Sequence, residues 1–357
     1  MASLQREQIM AALRTVQDPE LFKDIVTLNM VKDVKIDGTN VEVTVELTTP
    51  ACPMKEVIER DVTNALRKAG AESVKLNLTA NTRGAAGPKK DVLPQVKNIV
   101  AVGAGKGGVG KSTIAVNLAV GLQRLGASVG LMDGDIYGPS MPTMLGIRGV
   151  APNVRGNRIL PHFVHGLHAI TIGSLVEQEK PLIWRGPMAH GAFKQLLLDN
   201  TEWPELDYLI VDLPPGTGDV PLTLCQLLPL TGAVVVATPQ QVALDDAVRA
   251  VRMFQQLGAP VLGMVENMSY FVSPDGTESD IFGRGGAEQA AQRLNLPFLG
   301  AVPMFIELRV NSDAGTPRKN FEGNVRLKAA LEQLVTHLGG EVSKRNLGPT
   351  GPELTIT

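Results

Sequence analysis

The run Gly105-Lys-Gly-Gly-Val-Gly-Lys-Ser112 carries the pattern G-x-x-x-x-G-K-[ST]. Glycines at Gly105, Gly107, Gly108 and Gly110 let the backbone curl until its N–H groups face one point, which suits phosphate oxygens. An apolar helical pattern follows (Ile114, Ala115, Leu118, Ala119, Leu122), so the loop opens onto a helix N-terminus and its partial positive charge. In this setting Lys111 reaches β- and γ-phosphates and the Ser112 hydroxyl binds Mg²⁺. Lys106, Val109 and Thr113 complete the segment that meets the nucleotide. The chemistry implied is binding of ATP with Mg²⁺, followed by hydrolysis.

Such chemistry also needs carboxylates. Leu209-Ile-Val-Asp212 ends an apolar run in an acid, where a residue near the Mg²⁺ water shell belongs. The loop that follows, Pro214-Pro-Gly-Thr-Gly-Asp219, is unusual for a plain turn. Asp133 and Asp135 close the next apolar segment after the phosphate loop and share the ligand-binding rim of such folds. Of the two, Asp135 is favoured to orient the attacking water. Asn267 follows another buried strand and reads either as a nucleotide contact or as a polar strand end.

Two cysteines, Cys52 and Cys225, exclude a disulfide framework. Cys225 lies in an apolar helix and reads as packing. Cys52 precedes Pro53, which reads as the start of a helix, and a thiol at a helix N-terminus favours the thiolate. His162, His165 and His168 recur every third residue, which does not share one strand face, and read as surface residues.

The elements that hold these residues fall into two grammars. Residues 1–82 read as a small α+β domain of order αββαβ. Leu4–Val16 is a helix, Asp37-Gly38 a hairpin turn ahead of the alternating Val41, Val43, Val45 and Leu47, and the helix from Pro53 stops at Gly70. Residues 83–96 form a linker rich in Gly, Pro and charge. Residues 97–340 alternate helices with nearly continuous apolar strands at 99–102, 128–132, 208–211, 233–237, 261–265 and 298–302. Strands without alternation are buried on both faces, so the fold class is α/β, a doubly wound, mostly parallel sheet. The last helix runs from Asn324 to Leu338, and residues 341–357 form a flexible tail.

The 357 residues carry 34 Lys plus Arg against 36 Asp plus Glu, a formal charge of −2. That near-neutrality gives no electrostatic case for nucleic acid or for an anionic membrane. The N-terminus lacks a signal-peptide pattern and no apolar run is long enough to span a bilayer, so the reading is cytoplasmic.

Lys106 within the loop resembles the deviant phosphate-loop signature of MinD/ParA-type ATPases. Within that class the runs 133–142 (DGDIYGPSMP), 184–188 (WRGPM), 212–219 (DLPPGTGD) and 266–270 (ENMSY) resemble the Mrp/ApbC iron–sulfur carrier ATPases. Asp18-Pro-Glu20 and Thr49-Pro-Ala-Cys-Pro53 resemble the small cluster-assembly domain often fused to them. The resemblance implies a homodimer in which Lys106 reaches the partner's phosphates, an adenine contact from Asn267, and delivery of iron–sulfur clusters to apoprotein clients with the help of assembly factors. It also implies a C-x-x-C after the ENMS run, whose positions here are Ser273 and Gly276. Cys52 is the remaining candidate thiol for an iron–sulfur cluster. An adaptor ATPase that binds clients without ligating iron, and a positioning ATPase, stand as alternatives.

Overall fold

The computed structural model describes residues 4–19, 21, 23–82, 84, 92–135, 138–174, 191, 194 and 199–347. The run 184–188 lies outside them. The chain divides into two compact units, Met1–Ala86 with Gly339–Thr357, and Gly87–Leu338.

In the first unit, helix α1 (Arg6–Leu13) begins later than its apolar pattern suggests, because the Gln8 side chain accepts the Gln5 N–H at 3.1 Å and caps the chain there. A two-residue ladder follows, β1 (Gln17–Asp18) with β2 (Lys23–Asp24). Then come β3 (Val31–Asp37), β4 (Asn40–Leu47), α2 (Lys55–Lys68) and β5 (Ser73–Ala80). Strand β4 is central, antiparallel to β3 and parallel to β5. Its alternating Val41, Val43, Val45 and Leu47 face a core with Ile58, Val62 and Leu66 of α2. The β3–β4 turn uses Gly38 at φ +60, a left-handed conformation that glycine adopts without strain.

The second unit is built on a nine-stranded sheet. Its strands are β6 (Val96–Gly103), β7 (Val129–Asp133), β10 (His162–Val164), β11 (Leu167–Thr171), β12 (Leu206–Asp212), β13 (Gly232–Ala237), β14 (Val261–Val272), β15 (Glu278–Ser279) and β16 (Phe298–Met304). A separate hairpin pairs β8 (Asn153–Arg155) with β9 (Arg158–Leu160). The order is β10-β11-β7-β12-β6-β13-β14-β15, with β16 also on β14, and only β10 and β15 run antiparallel. All six expected apolar strands are present, and all residues of β7 and β13 are buried, as two covered faces require.

Helices α3 (Lys111–Arg124), α4 (Met141–Met144), α5 (Asp219–Leu227), α6 (Gln241–Gln256), α7 (Gly286–Arg293) and α8 (Ile306–Asp313) belong to this unit. Gly103 lets Phe254 of α6 lie against the sheet: a Cβ there would come within 2.8 Å of the ring. The final helix, α9 (Val325–Asn346), runs past the Leu338 end expected from sequence. Gly339 and Gly340 do not stop it, because packing outweighs their poor helix propensity. Within the first unit, a Cβ on Gly339 would meet the Ala51 methyl at 2.6 Å, and Thr48 donates to Ser343 at 3.3 Å.

Phe254 has no exposed surface. Phe254→Ala should lower unfolding free energy by about 3–5 kcal/mol, read as a shift of the denaturation midpoint without a change of slope.

Candidate functional site

Register fixes the site before any loop is considered. On one row of the parallel ladder, Thr171 of β11 lies opposite Asp133 of β7, which lies opposite Asp212 of β12, which lies opposite Val102 of β6. These positions are the C-terminal rim of the sheet, where the strands release their chain into ligand-binding loops. From the end of β6 the chain enters the phosphate loop and then α3.

The loop has the backbone that a phosphate cradle needs. Gly108 and Gly110 take φ of +82 and +79. Gly105 touches the backbone of Asp246 and Ala247 so closely that no side chain fits there, and Gly110 is similarly pressed against the Asn267 amide. Lys106 is half-buried and makes no ion pair among the described residues. Val109 is buried, while Gly107 and Gly108 are exposed.

Lys111 and Ser112, the first residues of α3, converge on one carboxylate. Lys111 Nζ lies 2.6 Å from Asp212 Oδ1, and Ser112 Oγ donates to Asp212 Oδ2 at 2.5 Å. Asp135 Oδ2 stands 3.6 Å from Lys111 Nζ. Lys111 is 6% exposed and Asp212 0%. Burial pushes the Asp212 carboxyl up, and the Lys111 charge with the two hydrogen bonds pulls it back. Asp133, also fully buried, is pushed up to about 7 by burial and by the neighbouring Asp212 charge. It accepts the Thr171 hydroxyl at 2.8 Å and the Asp135 N–H at 3.2 Å. The glycine curl, the buried lysine and the Ser112–Asp212 pair fit a nucleotide phosphate group with Mg²⁺, a hard cation held by oxygen ligands.

Asn267 is 3% exposed and donates to Val109 O in the phosphate loop at 2.8 Å. Its neighbour Glu266 is missed by reading the sequence for chemistry. Its carboxylate takes the N–H groups of Gly285 and Ala287 at 2.8 Å each and the Ser269 hydroxyl at 2.6 Å, capping α7 from inside the protein. Thr171 is missed too; its one signal is a polar residue closing an apolar run. The segment 273–277 closes on itself: Ser273 N–H bonds Thr277 O at 2.9 Å and Gly276 N–H bonds Ser273 O at 2.8 Å. Ser273 and Gly276 line a cavity of about 430 Å³ with Phe305, Glu307, Asn324 and Arg326. With no thiol at either position, this turn does not fit a cluster that needs thiolate ligands.

Three expectations change. Pro53 does not open α2, which starts at Lys55 with Met54 as its cap; proline biases Cys52 away from the helical region, so a turn intervenes. Cys52 thus precedes the first helical turn and packs, half-buried, beside the first unit's core. The histidines are not all surface residues: His162 is buried, while His165 and His168 are half-buried. His162 is 7% exposed on β10, and His165, at φ +53 in the β10–β11 turn, places Nε2 3.1 Å from Leu145 O and 3.0 Å from Gly315 O. Edge position alone does not expose a side chain that faces the sheet's inner layer.

With the geometry established, comparison with known proteins is direct. Residues 95–339 match the model of the NUBPL iron-transfer P-loop NTPases, and residues 6–78 match that of an iron–sulfur cluster assembly protein domain. The chain belongs to the iron-transfer P-loop NTPase family. It is 48% identical over 348 residues to an iron–sulfur cluster carrier protein of Synechocystis, covering 95% of this chain and 98% of that one. It is 47% identical over 353 residues to an iron–sulfur cluster carrier protein of Deinococcus radiodurans, covering 98% and 99%. A solved nucleotide-binding protein of Archaeoglobus fulgidus, in complex with ADP, superposes with a TM-score of 0.56 at 36% identity, covering 64% of this chain and 90% of that one. The P-loop NTPase is thus a nucleotide-binding ATPase by family. Among the described residues no helix is long and apolar enough to cross a membrane.

The thiols should differ sharply. Burial pushes the Cys225 thiol up to about 12, so it stays protonated and unreactive at neutral pH. A chromogenic disulfide reagent at pH 7.5 should label Cys52 in the native protein and Cys225 only after unfolding, with Cys52→Ser abolishing native labelling.

Proposed function

We propose that this chain is an ATP-hydrolysing carrier that delivers iron–sulfur clusters to apoprotein clients. The observation that carries the reading is the Lys111–Ser112–Asp212 constellation in a chain that matches named cluster carriers along almost its whole length. The carrier acts as a homodimer in the cytoplasm, with clients and assembly factors as partners and neither nucleic acid nor membrane as a substrate.

The division of labour follows from the geometry. The N–H groups from Gly105 to Thr113 hold the phosphates, and Lys111 neutralises their β- and γ-oxygens. When phosphates compete for it, Lys111 loosens from Asp212, which frees that carboxylate. Ser112 and Asp212 would hold Mg²⁺, which when bound would supply Lewis-acid neutralisation of the phosphate oxygens. Asp135, beside Lys111, orients the attacking water. Lys106, half-buried in the phosphate loop, is the cation that crosses a dimer interface to meet the neighbour's phosphates in this reading. Asn267, bonded to Val109 O, stands close enough to the loop to contact adenine as well.

The cargo is the less complete half. Ser273 and Gly276 supply no thiolate, so a bridging cluster cannot use that turn. This observation favours a second reading, an adaptor in which the N-terminal domain holds the client and nucleotide turnover times its release. Cys52, with one thiol per subunit, is the thiol left to meet iron in the carrier reading.

Lys111→Ala should lower ATP turnover by at least about a hundredfold, the scale of losing one preorganised charge at a transferring phosphoryl group. Anaerobic reconstitution with iron and sulfide should give cluster absorbance, lost in Cys52→Ser, and ATP should speed transfer to an apo-acceptor. Unaltered ATP turnover with no bound iron and no transfer points instead to the adaptor. In that case deleting residues 1–80 should abolish client binding and leave turnover intact.

A further inference from the structure

Asp133, a fully buried carboxylate of the site, has no task in the scheme above. A carboxyl's last torsion is broad and roughly two-fold, so the group holds one orientation only where hydrogen bonds fix both oxygens. Asp133 meets that condition. Oδ2 accepts the Thr171 hydroxyl at 2.8 Å from β11, and Oδ1 accepts the Asp135 N–H at 3.2 Å. The Thr171 rotor is itself pinned, since its oxygen accepts the Gly173 N–H at 3.1 Å and its proton is left to point at Asp133. On the other side of the 133–135 turn, Gly134 N–H bonds Asp212 O at 2.9 Å. The backbone that carries Asp135 is therefore fastened to β12 directly and to β11 through two side chains.

We infer that Thr171 is a positioning residue for ATP hydrolysis, acting through Asp133 to fix the Asp135 backbone and so the place of the Asp135 carboxylate beside Lys111. This rests on the reading of Asp135 as the group that orients water. Thr171 touches neither Lys111 nor Ser112 among the described residues, so it bears on turnover more than on nucleotide affinity. The side chain is 1% exposed at the end of an apolar strand, where valine has the same shape and would serve packing equally well. A hydroxyl there is explained by the carboxylate it holds.

The test is steady-state ATPase kinetics on the full chain with Mg²⁺. Thr171→Val should lower kcat by about tenfold, the scale of one hydrogen bond to a charged group, with KM for ATP within twofold of wild type. Thr171→Ser, which returns the hydroxyl, should restore kcat. Thr171→Ala gives the same comparison if the valine variant does not fold. Asp135→Asn should lose turnover, and adding Thr171→Val to it should cost nothing further. The inference is overturned if Thr171→Val keeps wild-type kcat while Asp135→Asn does not, if serine fails to restore kcat, or if the two losses add. If Asp135→Asn itself keeps wild-type kcat, the reading of Asp135 fails, and that outcome is separate from the first.

Discussion

The structure turns on a carboxylate that has been taken out of water. Asp212 sits at the end of the central strand pair, fully buried, and grips Lys111 and Ser112 at 2.6 and 2.5 Å. Burying a charge is costly unless it is paired and hydrogen-bonded. Here the partner lysine belongs to the loop that must bind a more highly charged ligand. The Lys111–Asp212 pair satisfies both buried charges within the protein itself. Removing Lys111 leaves Asp212 a buried charge held by the Ser112 hydroxyl without a cation beside it.

Everything around that pair keeps it in register. Parallel pairing sets Thr171, Asp133 and Asp212 on one row, and the loop leaving β6 sets Lys111, the first residue of α3, against Asp212. Across the loop, strand β14 contributes Asn267 to the Val109 carbonyl, while Glu266 fastens the N-terminus of α7. Glycine at Gly105 and Gly110 is required because neighbouring backbone and amide groups occupy the space a side chain would need. The site is a set of rigid strand ends joined by short bonds, the arrangement that gives a preorganised electrostatic environment.

The phosphate loop and the turn at 273–277 differ in the side chains they supply. The phosphate loop and its carboxylates are complete, whereas the turn at 273–277 is closed by its own backbone bonds with serine and glycine where the resemblance implies thiols. The remaining half-buried thiol, Cys52, lies in the first unit, in a loop held by Thr48 and Ala51 against residues 339–346.

Reading the sequence was enough for the parallel strands, since a strand covered on both faces must be apolar throughout, and for the phosphate loop, since its glycines and lysine are local requirements. It placed acids at the ends of two strands, Asp133 and Asp212, with Asp135 two residues beyond the first. It was misled where a local preference met a stronger tertiary one: Leu338 as the end of the last helix, Pro53 as a helix start, and His162 as a surface residue. It was silent on bonds between distant positions. Asn267 reaches Val109 across 158 residues and Thr171 reaches Asp133 across 38, and no spacing rule encodes such pairs. Sequence by itself determined which groups exist and which local shapes they permit, because propensity and motif act over a few residues. Only the tertiary structure decided which carboxylate meets the lysine and which meets the Thr171 hydroxyl, because strand order and register are set by packing the whole sheet at once.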